Sequence, residues 1–380
     1  MAESDLSSSI LDHLNVQLVR FPHLSWRGVR DVRKLIGGLH QIPLLGLINS
    51  FSCSSSEGSG TSLTMVYSSS EPGYHHAIAG AASGCLTRFI CQPLDVVKIR
   101  FQLQVEPIKK HSSSKYHSML QTFRLIAKEE SFYALWKGHV PAQLLSVIYG
   151  TSQFYVYIIV NQHLEKFDFL SDKTKTVHFL SGALAGCFAT VTSFPLDTVR
   201  TRLIAQSSQN KAYKGTIHSC TTIYKTESPK GFFRGLLPTL LQIAPHAGLQ
   251  FGTYELVKDI KFLPANNEDS HHHKKVGIIN SLVAGCLAGL VAKTIVYPLD
   301  LARKRLQIQG FEHGRKGFGG FFRCNGLVNC LVLTTKQEGI RGLFKGLGPS
   351  QFKAALMTAL HFTFYEQALN LIRDNHEHEH

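Results

Sequence analysis

The stretch Pro93-Leu94-Asp95-Val96-Val97-Lys98 has two further copies in the chain, Pro195-Leu196-Asp197-Thr198-Val199-Arg200 and Pro298-Leu299-Asp300-Leu301-Ala302-Arg303. The three prolines are separated by 102 and 103 residues. One match to the pattern P-x-D-x-x-[KR] has little weight, because short patterns recur by chance. Three matches at nearly equal separation, all in apolar surroundings, predict a triplicated chain.

Two other features repeat with the same phase. A G-x-x-x-G pair begins 13 residues before each proline, and we expect these glycines to let neighbouring helices approach closely. Downstream, a glutamate is followed six residues later by an aromatic residue, a base and a glycine. The copies are Glu130 with Trp136-Lys137-Gly138, Glu227 with Phe233-Arg234-Gly235, and Glu338 with Phe344-Lys345-Gly346. We expect three repeats, at 73–170, 171–270 and 271–380.

Each repeat has the pattern of two long apolar helices joined by a basic loop. We expect the first helices near 74–104, 176–206 and 276–309, and the second near 139–165, 236–262 and 347–373. At ~1.5 Å per residue, each is long enough to cross a hydrocarbon core of ~30 Å. A proline inside a helix costs ~3 kcal/mol in water, but membrane helices tolerate the kink. The sequence predicts an all-α membrane protein with six transmembrane helices, threefold pseudosymmetry and a short amphipathic surface helix in each loop.

Composition excludes several classes of protein. The 380 residues carry a formal net charge of +14 and are 44% hydrophobic, which rules out a largely disordered chain. Eight cysteines form no C-x-x-C pair, and we expect them to be reduced. A basic helical-repeat protein that binds nucleic acid is a disfavoured alternative, because no basic stripe interleaved with aromatic residues is present. No nucleophile–base pairing, metal-ligand cluster or phosphate-binding glycine loop indicates an enzyme, and we predict no cofactor and no metal.

Residues 1–72 belong to no repeat. Serine and glycine clusters between 54 and 70 are typical of a flexible linker. Five bases between Arg20 and Lys34 are accompanied by one acid, as in a transit segment, although acidic residues nearer the start oppose this interpretation. A dispensable extension, a targeting segment and a structural segment all remain open.

The repeated charges predict a gate. Isolated charges inside membrane helices are costly, so they face a partner or water. If the three first helices surround an axis, each aspartate is able to pair with the base of the next helix. The expected pairs are Asp95–Arg200, Asp197–Arg303 and Asp300–Lys98. Such a ring closes one end of a path when it is formed and opens that end when it is broken. The alternative is a static set of ion pairs that holds three kinked helices together.

Together, the three motifs, the downstream elements and the triplication resemble the mitochondrial carrier family over about residues 74–372. The resemblance implies a multi-pass protein of the mitochondrial inner membrane with a central substrate site. It also implies alternating access between a matrix gate, formed by the six ring residues, and a cytoplasmic gate. The surface helices would then lie on the matrix side, with their bases toward anionic lipid such as cardiolipin, and we expect a monomer.

Further family positions can be matched to this chain. In the family, a glutamine four residues after the motif base braces the matrix gate; Gln102 and Gln307 match this pattern, whereas Ile204 does not. The cytoplasmic motif [FY]-[DE]-x-x-[KR] is complete only at Tyr254–Lys258. The resemblance therefore implies a weak cytoplasmic gate, built from Glu255, Lys258 and Glu366, in which we expect Lys258 to pair with Glu366.

The substrate site is expected just above the ring. Arg88 and Lys293 lie seven residues before ring aspartates, on the same helix face, and Thr190 is the equivalent residue of the second repeat. Nine residues after the loop aromatics stand Leu145, Gln242 and Lys353, which match the family's contact points. Arg88, Lys293 and Lys353 form a cation set suited to a polyanion. We expect Gln242, His246 and Tyr149 to contact a ring or heterocycle, although packing alone also accounts for them.

Four short stretches resemble the branch of the family that carries thiamine pyrophosphate. They are Lys137–Gln143, Tyr297–Leu301 with Lys304–Gln307, Gly310–His313 and Lys353–Leu356. This similarity implies exchange of thiamine pyrophosphate against nucleotides. The alternative substrates are other phosphorylated anions, such as an adenine nucleotide or coenzyme A. The Arg-Arg-Arg-Met-Met-Met run of ADP/ATP carriers is absent, because residues 303–308 read Arg-Lys-Arg-Leu-Gln-Ile.

Overall fold

The computed structural model describes residues 73–106, 114–164, 174–207, 212–258, 260, 270–315, 320–321 and 323–377. The extension over 1–72, with its three interpretations, lies outside these residues. The described parts form nine α-helices without a strand: α1 Gly73–Leu103, α2 Met119–Glu129, α3 His139–Leu164, α4 Thr174–Ala205, α5 Thr216–Glu227, α6 Leu236–Val257, α7 Ser270–Gln307, α8 Leu327–Glu338 and α9 Leu347–Glu377. A short 3₁₀ turn precedes each of α3, α6 and α9, and another follows α7.

The long helices agree with the predicted segments to within two residues except at three ends, one of which is the end of α9 at Glu377, four residues after the expected end. Helix α7 begins at Ser270, six residues before the expected start, because no glycine or proline interrupts the chain between Ser270 and Gly277. Helix α6 ends at Val257, five residues before the expected end. A proline lies inside each of α1, α4 and α7, as the sequence predicted. The short helices α2, α5 and α8 occupy the loops, also as predicted.

The three repeats close into a ring. The most extensive helix contacts join α3 with α4, α6 with α7, and α9 with α1. In each case the second long helix of one repeat packs on the first long helix of another. Because α9 of the third repeat packs on α1 of the first, no repeat is left with an unpaired long helix.

The glycines of the G-x-x-x-G pairs behave differently from the sequence prediction. The expectation that the G-x-x-x-G glycines mediate close helix contact is wrong for Gly84, Gly182 and Gly289, since a Cβ atom built there meets no atom within 4 Å. These glycines recur at the same position in each repeat, but they do not lie against the backbone of a neighbouring helix.

The closely packed glycines are instead those of the aromatic–base–glycine elements, which precede the second long helices. Gly138, Gly235 and Gly346 have φ values of +77°, +86° and +84°, where side chains are strained. A Cβ atom on them would lie 3.2, 2.8 and 3.1 Å from the carbonyl oxygens of Arg200, Arg303 and Lys98. Each glycine therefore lets one repeat contact the backbone of a motif base in another repeat.

Charge and apolar surface are arranged as in a membrane protein. Large apolar side chains such as Leu86, Phe188 and Ile295 are about half exposed on the outside of the long helices. The aspartates of the three motifs are buried. Within the described residues, three helices are long and apolar enough to cross a membrane, at Phe132–Leu164, Val177–Ala205 and Val283–Gln307. The apolar exterior and the buried charges fit a hydrocarbon environment.

Replacing Gly235 with alanine should lower the apparent melting temperature of the purified protein by several degrees. The new Cβ atom meets the Arg303 carbonyl and occupies a left-handed backbone conformation, which together cost about 2–4 kcal/mol. Gly248→Ala on the same helix is the matched control, because a Cβ atom there contacts nothing within 4 Å. Equal melting temperatures for the two variants, measured in detergent, would contradict this packing.

Candidate functional site

Three ion pairs join the first helices of the repeats, next to the prolines inside these helices. Arg200 Nη2 lies 2.5 Å from Asp95 Oδ2, and Arg303 Nη2 lies 2.8 Å from Asp197 Oδ2. Lys98 Nζ lies 3.1 Å from Asp300 Oδ2. These are the pairs and the order drawn from the sequence, and we call the six residues the charged ring. Since each pair joins two repeats, the charged ring links α1, α4 and α7 to one another.

Two glutamines reinforce the charged ring. Gln102 Nε2 donates to Asp300 Oδ2 at 3.0 Å and to the Tyr297 hydroxyl at 3.1 Å. Gln307 Nε2 donates to Asp197 Oδ2, and Gln307 Oε1 accepts a hydrogen bond of 2.8 Å from Thr201. Both glutamines are fully buried.

Two lysines outside the three ion pairs also reach the charged ring. Lys304 Nζ lies 3.0 Å from Asp197 Oδ1, a contact that the sequence analysis did not anticipate. Lys353 Nζ lies 2.6 Å from Asp95 Oδ1, so a lysine predicted to bind substrate is held by a ring carboxylate in this conformation. Both lysines are buried.

The predicted substrate cations of α1 and α7 are close to the charged ring but less well paired. Arg88 donates from Nη1 to the Ala142 carbonyl at 3.0 Å, and its buried Nη2 has no hydrogen-bond partner. Lys293 is only 7% exposed, yet it makes no hydrogen bond or ion pair among the described residues. It is nevertheless close enough to Asp300 and Lys353 to interact with them electrostatically. These are incompletely satisfied cations in a region where charge is expensive.

Among the residues that the structure describes, buried positive charge exceeds buried negative charge by four around the charged ring. The three ring aspartates are the buried carboxylates here, and seven cations accompany them: Arg88, Lys98, Arg200, Lys293, Arg303, Lys304 and Lys353. All except Arg303 are buried, and Arg303 is nearly so. An excess of buried positive charge favours binding of a multiply charged anion.

The other predicted contact residues divide into two groups. On α6, Gln242 and His246 are buried, and Gln242 Oε1 and His246 Nε2 have no hydrogen-bond partner. His246 lies within electrostatic range of Lys293, which puts it near the cation set. The remaining three have local contacts: the Thr190 hydroxyl donates to the Gly186 carbonyl, Leu145 is buried and apolar, and the Tyr149 hydroxyl lies beside Gly186 at the contact of α3 with α4.

Of the three residues of the predicted cytoplasmic gate, two are in contact and the third lies apart from them. Lys258 forms an ion pair with Glu255 on its own helix, three residues away. Glu366 is exposed and makes no ion pair among the described residues. The suggested pairing of Lys258 with Glu366 is therefore not present in this conformation, in which the charged ring is closed. The cytoplasmic gate stays a prediction.

A second charged network, which the sequence analysis missed, lies next to the ring. Arginines five residues after the ring aspartates bind the glutamates that end the surface helices, and the pairs are Arg100–Glu130, Arg202–Glu227 and Arg305–Glu338. Each pair is bidentate, with N–O distances of 2.7 and 2.8 Å, 2.5 and 2.9 Å, and 2.5 and 3.0 Å, respectively. The signal was available in the sequence, because the motif extends to P-x-D-x-x-[KR]-x-R in all three copies.

The base of the aromatic–base–glycine element completes each glutamate site. Lys137, Arg234 and Lys345 lie 2.6, 3.0 and 2.5 Å from the respective glutamates. At Glu130, burial opposes ionisation, but hydrogen bonds from Arg100 and Lys137 outweigh it and lower the pKa of the carboxyl to about 2. Glu130 is therefore ionised at any physiological pH, and the link between α1 and α2 persists.

The same bases and arginines also connect the repeats. Arg202 Nε donates to the Gln307 carbonyl at 2.9 Å, and Arg305 Nε donates to the Gln102 carbonyl at 3.1 Å. Lys345 Nζ donates to the carbonyls of Gln104, Val105 and Glu106 at the C-terminal end of α1, where a positive charge is favourable. The surface helices are thus coupled to the ends of the helices that carry the ring.

Neutralising Asp300 alone should destabilise the protein more than neutralising both members of its pair. Asp300→Asn leaves Lys98 buried without its carboxylate, and breaking a buried pair costs about 3–5 kcal/mol. The double variant Lys98→Gln/Asp300→Asn should recover at least half of the lost melting temperature in detergent. Arg323→Gln, at an ion pair whose arginine is 77% exposed, is the control and should change little. Additive losses in the double variant would contradict the pairing.

Comparisons with known proteins agree with this architecture. A family model described as "Mitochondrial carrier protein" matches residues 69–168, 171–263 and 274–376. The chain is 43% identical to the "Mitochondrial thiamine pyrophosphate carrier" of Homo sapiens. The alignment extends over 298 residues, which are 78% of this chain and 91% of the relative. The chain is also 43% identical to the protein of the same name from Bos taurus, over 77% of this chain and 91% of the relative.

A more distant relative gives the same result. The "Mitochondrial thiamine pyrophosphate carrier 1" of Aspergillus oryzae is 37% identical over 307 residues, which are 78% of this chain and 92% of the relative. The family-model matches extend over all three repeats and include the positions of the charged ring. The chain therefore belongs to the mitochondrial carrier family and is a multi-pass protein of the mitochondrial inner membrane.

Proposed function

We propose that this protein transports thiamine pyrophosphate across the inner membrane in exchange for nucleotides. The observation that carries the proposal is the excess of buried positive charge around the ring, which favours binding of an anion with several charges. The names of relatives at 37–43% identity support thiamine pyrophosphate as that anion. In this proposal the protein is a transporter without a catalytic residue.

The proposed mechanism is alternating access. With its three pairs formed, the charged ring closes the matrix end of the path, and no ion pair joins Lys258 to Glu366 at the other end. Substrate would enter from the cytoplasmic side and reach the cation set above the ring. Opening of the ring pairs, braced by Gln102 and Gln307, would then release it to the matrix.

Six transmembrane helices are part of the proposal. Three long helices qualify on length and composition, and the other three pack against helices of that kind or close the ring of repeats. The basic loops and surface helices α2, α5 and α8 would lie against anionic lipid such as cardiolipin on the matrix side. Each repeat contributes one pair of long helices, so a monomer is sufficient to enclose the path.

Within the site, the two ends of the substrate would be bound by different residues. Arg88, Lys293 and Lys353 would bind the diphosphate, since lysine and arginine neutralise phosphate oxygens directly. The unpartnered Gln242 Oε1 and His246 Nε2 would contact the aminopyrimidine ring, which has both donors and acceptors. Leu145 would pack against the substrate, and Thr190 would leave the second repeat without the cation that Arg88 and Lys293 supply in the other two.

Reconstituted protein should take up radiolabelled thiamine pyrophosphate into liposomes only when a nucleotide is inside. Arg88→Ala and Lys293→Ala should each lower uptake about 10- to 100-fold, because each removes a charged phosphate contact of about 1.5–3 kcal/mol. Lys225→Ala, an exposed lysine on α5, is the control. Exchange of ADP or coenzyme A without uptake of thiamine pyrophosphate would keep the carrier and overturn the substrate.

Gln242→Ala should separate recognition of the heterocycle from recognition of the diphosphate. The substitution removes the amide that is proposed to bind the aminopyrimidine of the substrate. The affinity for thiamine pyrophosphate should therefore fall about tenfold, which corresponds to the loss of one good hydrogen bond. Inhibition by inorganic pyrophosphate should stay within about twofold. Leu241→Ala, on the exposed face of the same helix, is the control. Equal losses for both ligands would remove Gln242 from the heterocycle site.

A further inference from the structure

The three ring aspartates are not supported equally. Asp300 accepts a hydrogen bond from Gln102, and Asp197 accepts one from Gln307. In each case the glutamine stands four residues after a ring base. At the third equivalent position, Ile204 is fully buried in an apolar cluster with Val96 and Val97 and has no group that can donate. The contact between the first two repeats therefore has no glutamine brace.

Lys353 supplies a donor at this position from the third repeat. Its Nζ lies 2.6 Å from Asp95 Oδ1, while Arg200 binds Asp95 Oδ2 at 2.5 Å. Its sequence counterparts on the other second helices do not do this, since Leu145 is apolar and Gln242 makes no hydrogen bond among the described residues. Both oxygens of Asp95 are thus occupied, and one of the two donors belongs to the proposed substrate site.

We infer that Lys353 is the third brace of the charged ring and that the phosphate of the substrate releases it by competing with Asp95 for its ammonium group. The brace itself follows from the contact, whereas the identity of the competitor rests on the proposed function. A diphosphate carries more charge than a carboxylate and attracts an ammonium group more strongly. The flexible stem of lysine lets Nζ move between the two acceptors.

This arrangement makes one of three braces responsive to substrate. The neutral amides of Gln102 and Gln307 have no excess charge with which to attract phosphate. When Lys353 moves to the phosphate, Asp95 keeps Arg200 alone, and the contact between the first and second repeats becomes the weakest part of the ring. Binding of the anion is then coupled to opening at this contact, and the coupling must be reciprocal.

The brace is tested without any ligand, through thermal unfolding in detergent. Lys353→Gln should lower the apparent melting temperature, and adding Ile204→Gln should restore it, because the introduced amide would stand at the position from which Gln102 and Gln307 brace the other aspartates. Ile204→Leu in the same background is the control and should restore nothing. If Ile204→Gln fails to raise the melting temperature of the Lys353→Gln protein, and that protein still unfolds cooperatively, the brace is overturned.

The competition is tested with inorganic pyrophosphate as the probe. Asp95→Asn removes the competitor of the phosphate, so the affinity for pyrophosphate should rise about fivefold or more. Asp197→Asn, which breaks an equivalent ring pair, is the matched control and should change the affinity less than about twofold. The effect of Asp95→Asn should disappear in a Lys353→Gln background.

The outcomes separate this inference from the proposed function. Equal effects of Asp95→Asn and Asp197→Asn on pyrophosphate affinity would overturn the shared lysine while leaving transport of thiamine pyrophosphate intact. Absence of pyrophosphate binding by the unmodified protein would overturn the competition, whereas the proposed substrate is decided by the uptake of thiamine pyrophosphate into liposomes. The thermal rescue would still decide whether Lys353 braces Asp95.

Discussion

The three carboxylates buried at the proline kinks are the constraint on which the rest of the molecule depends. A buried aspartate without a partner is strongly unfavourable, and each of these aspartates finds its base on a different repeat. No repeat is therefore electrostatically complete by itself. The packing of α9 on α1 follows from the same requirement, because Lys98 on α1 must reach Asp300 on α7 for the last pair to form.

The helices that carry the charged ring are also joined to the surface helices by ion pairs. The arginine two residues after each ring base binds the glutamate at the end of a surface helix, and the glycine that follows the loop base lies on the backbone of another repeat's ring base. A change in the ring cannot leave these contacts untouched, since they are carried by the same helical turns. The short helices are thus expected to move with the long helices that they join.

Much of the fold and of the charged ring was predictable from the sequence because the same motif recurs in all three repeats. Three copies of one motif give the helix bounds to within six residues and give the order of the ring pairs, since a threefold arrangement leaves each aspartate one neighbouring base. The arginines of the second network have the same periodicity and were missed only because the motif was read two residues too short. Contacts that break the symmetry were out of reach: Lys353 approaches Asp95 from a helix more than 250 residues away, and Lys304 lies outside the motif pattern.

Symmetry and specificity are carried by different residues of the same helices. A substrate with a charged end and a heterocyclic end has no threefold symmetry, so equivalent positions must differ in order to bind it. They do so at Arg88, Thr190 and Lys293, and again at Leu145, Gln242 and Lys353. The near-symmetric ring provides a closure that all three repeats share. In the proposed mechanism the asymmetric positions would determine which anion opens the ring. Lys353 belongs to these positions by sequence and contacts Asp95 of the ring, so the two sets meet at this residue.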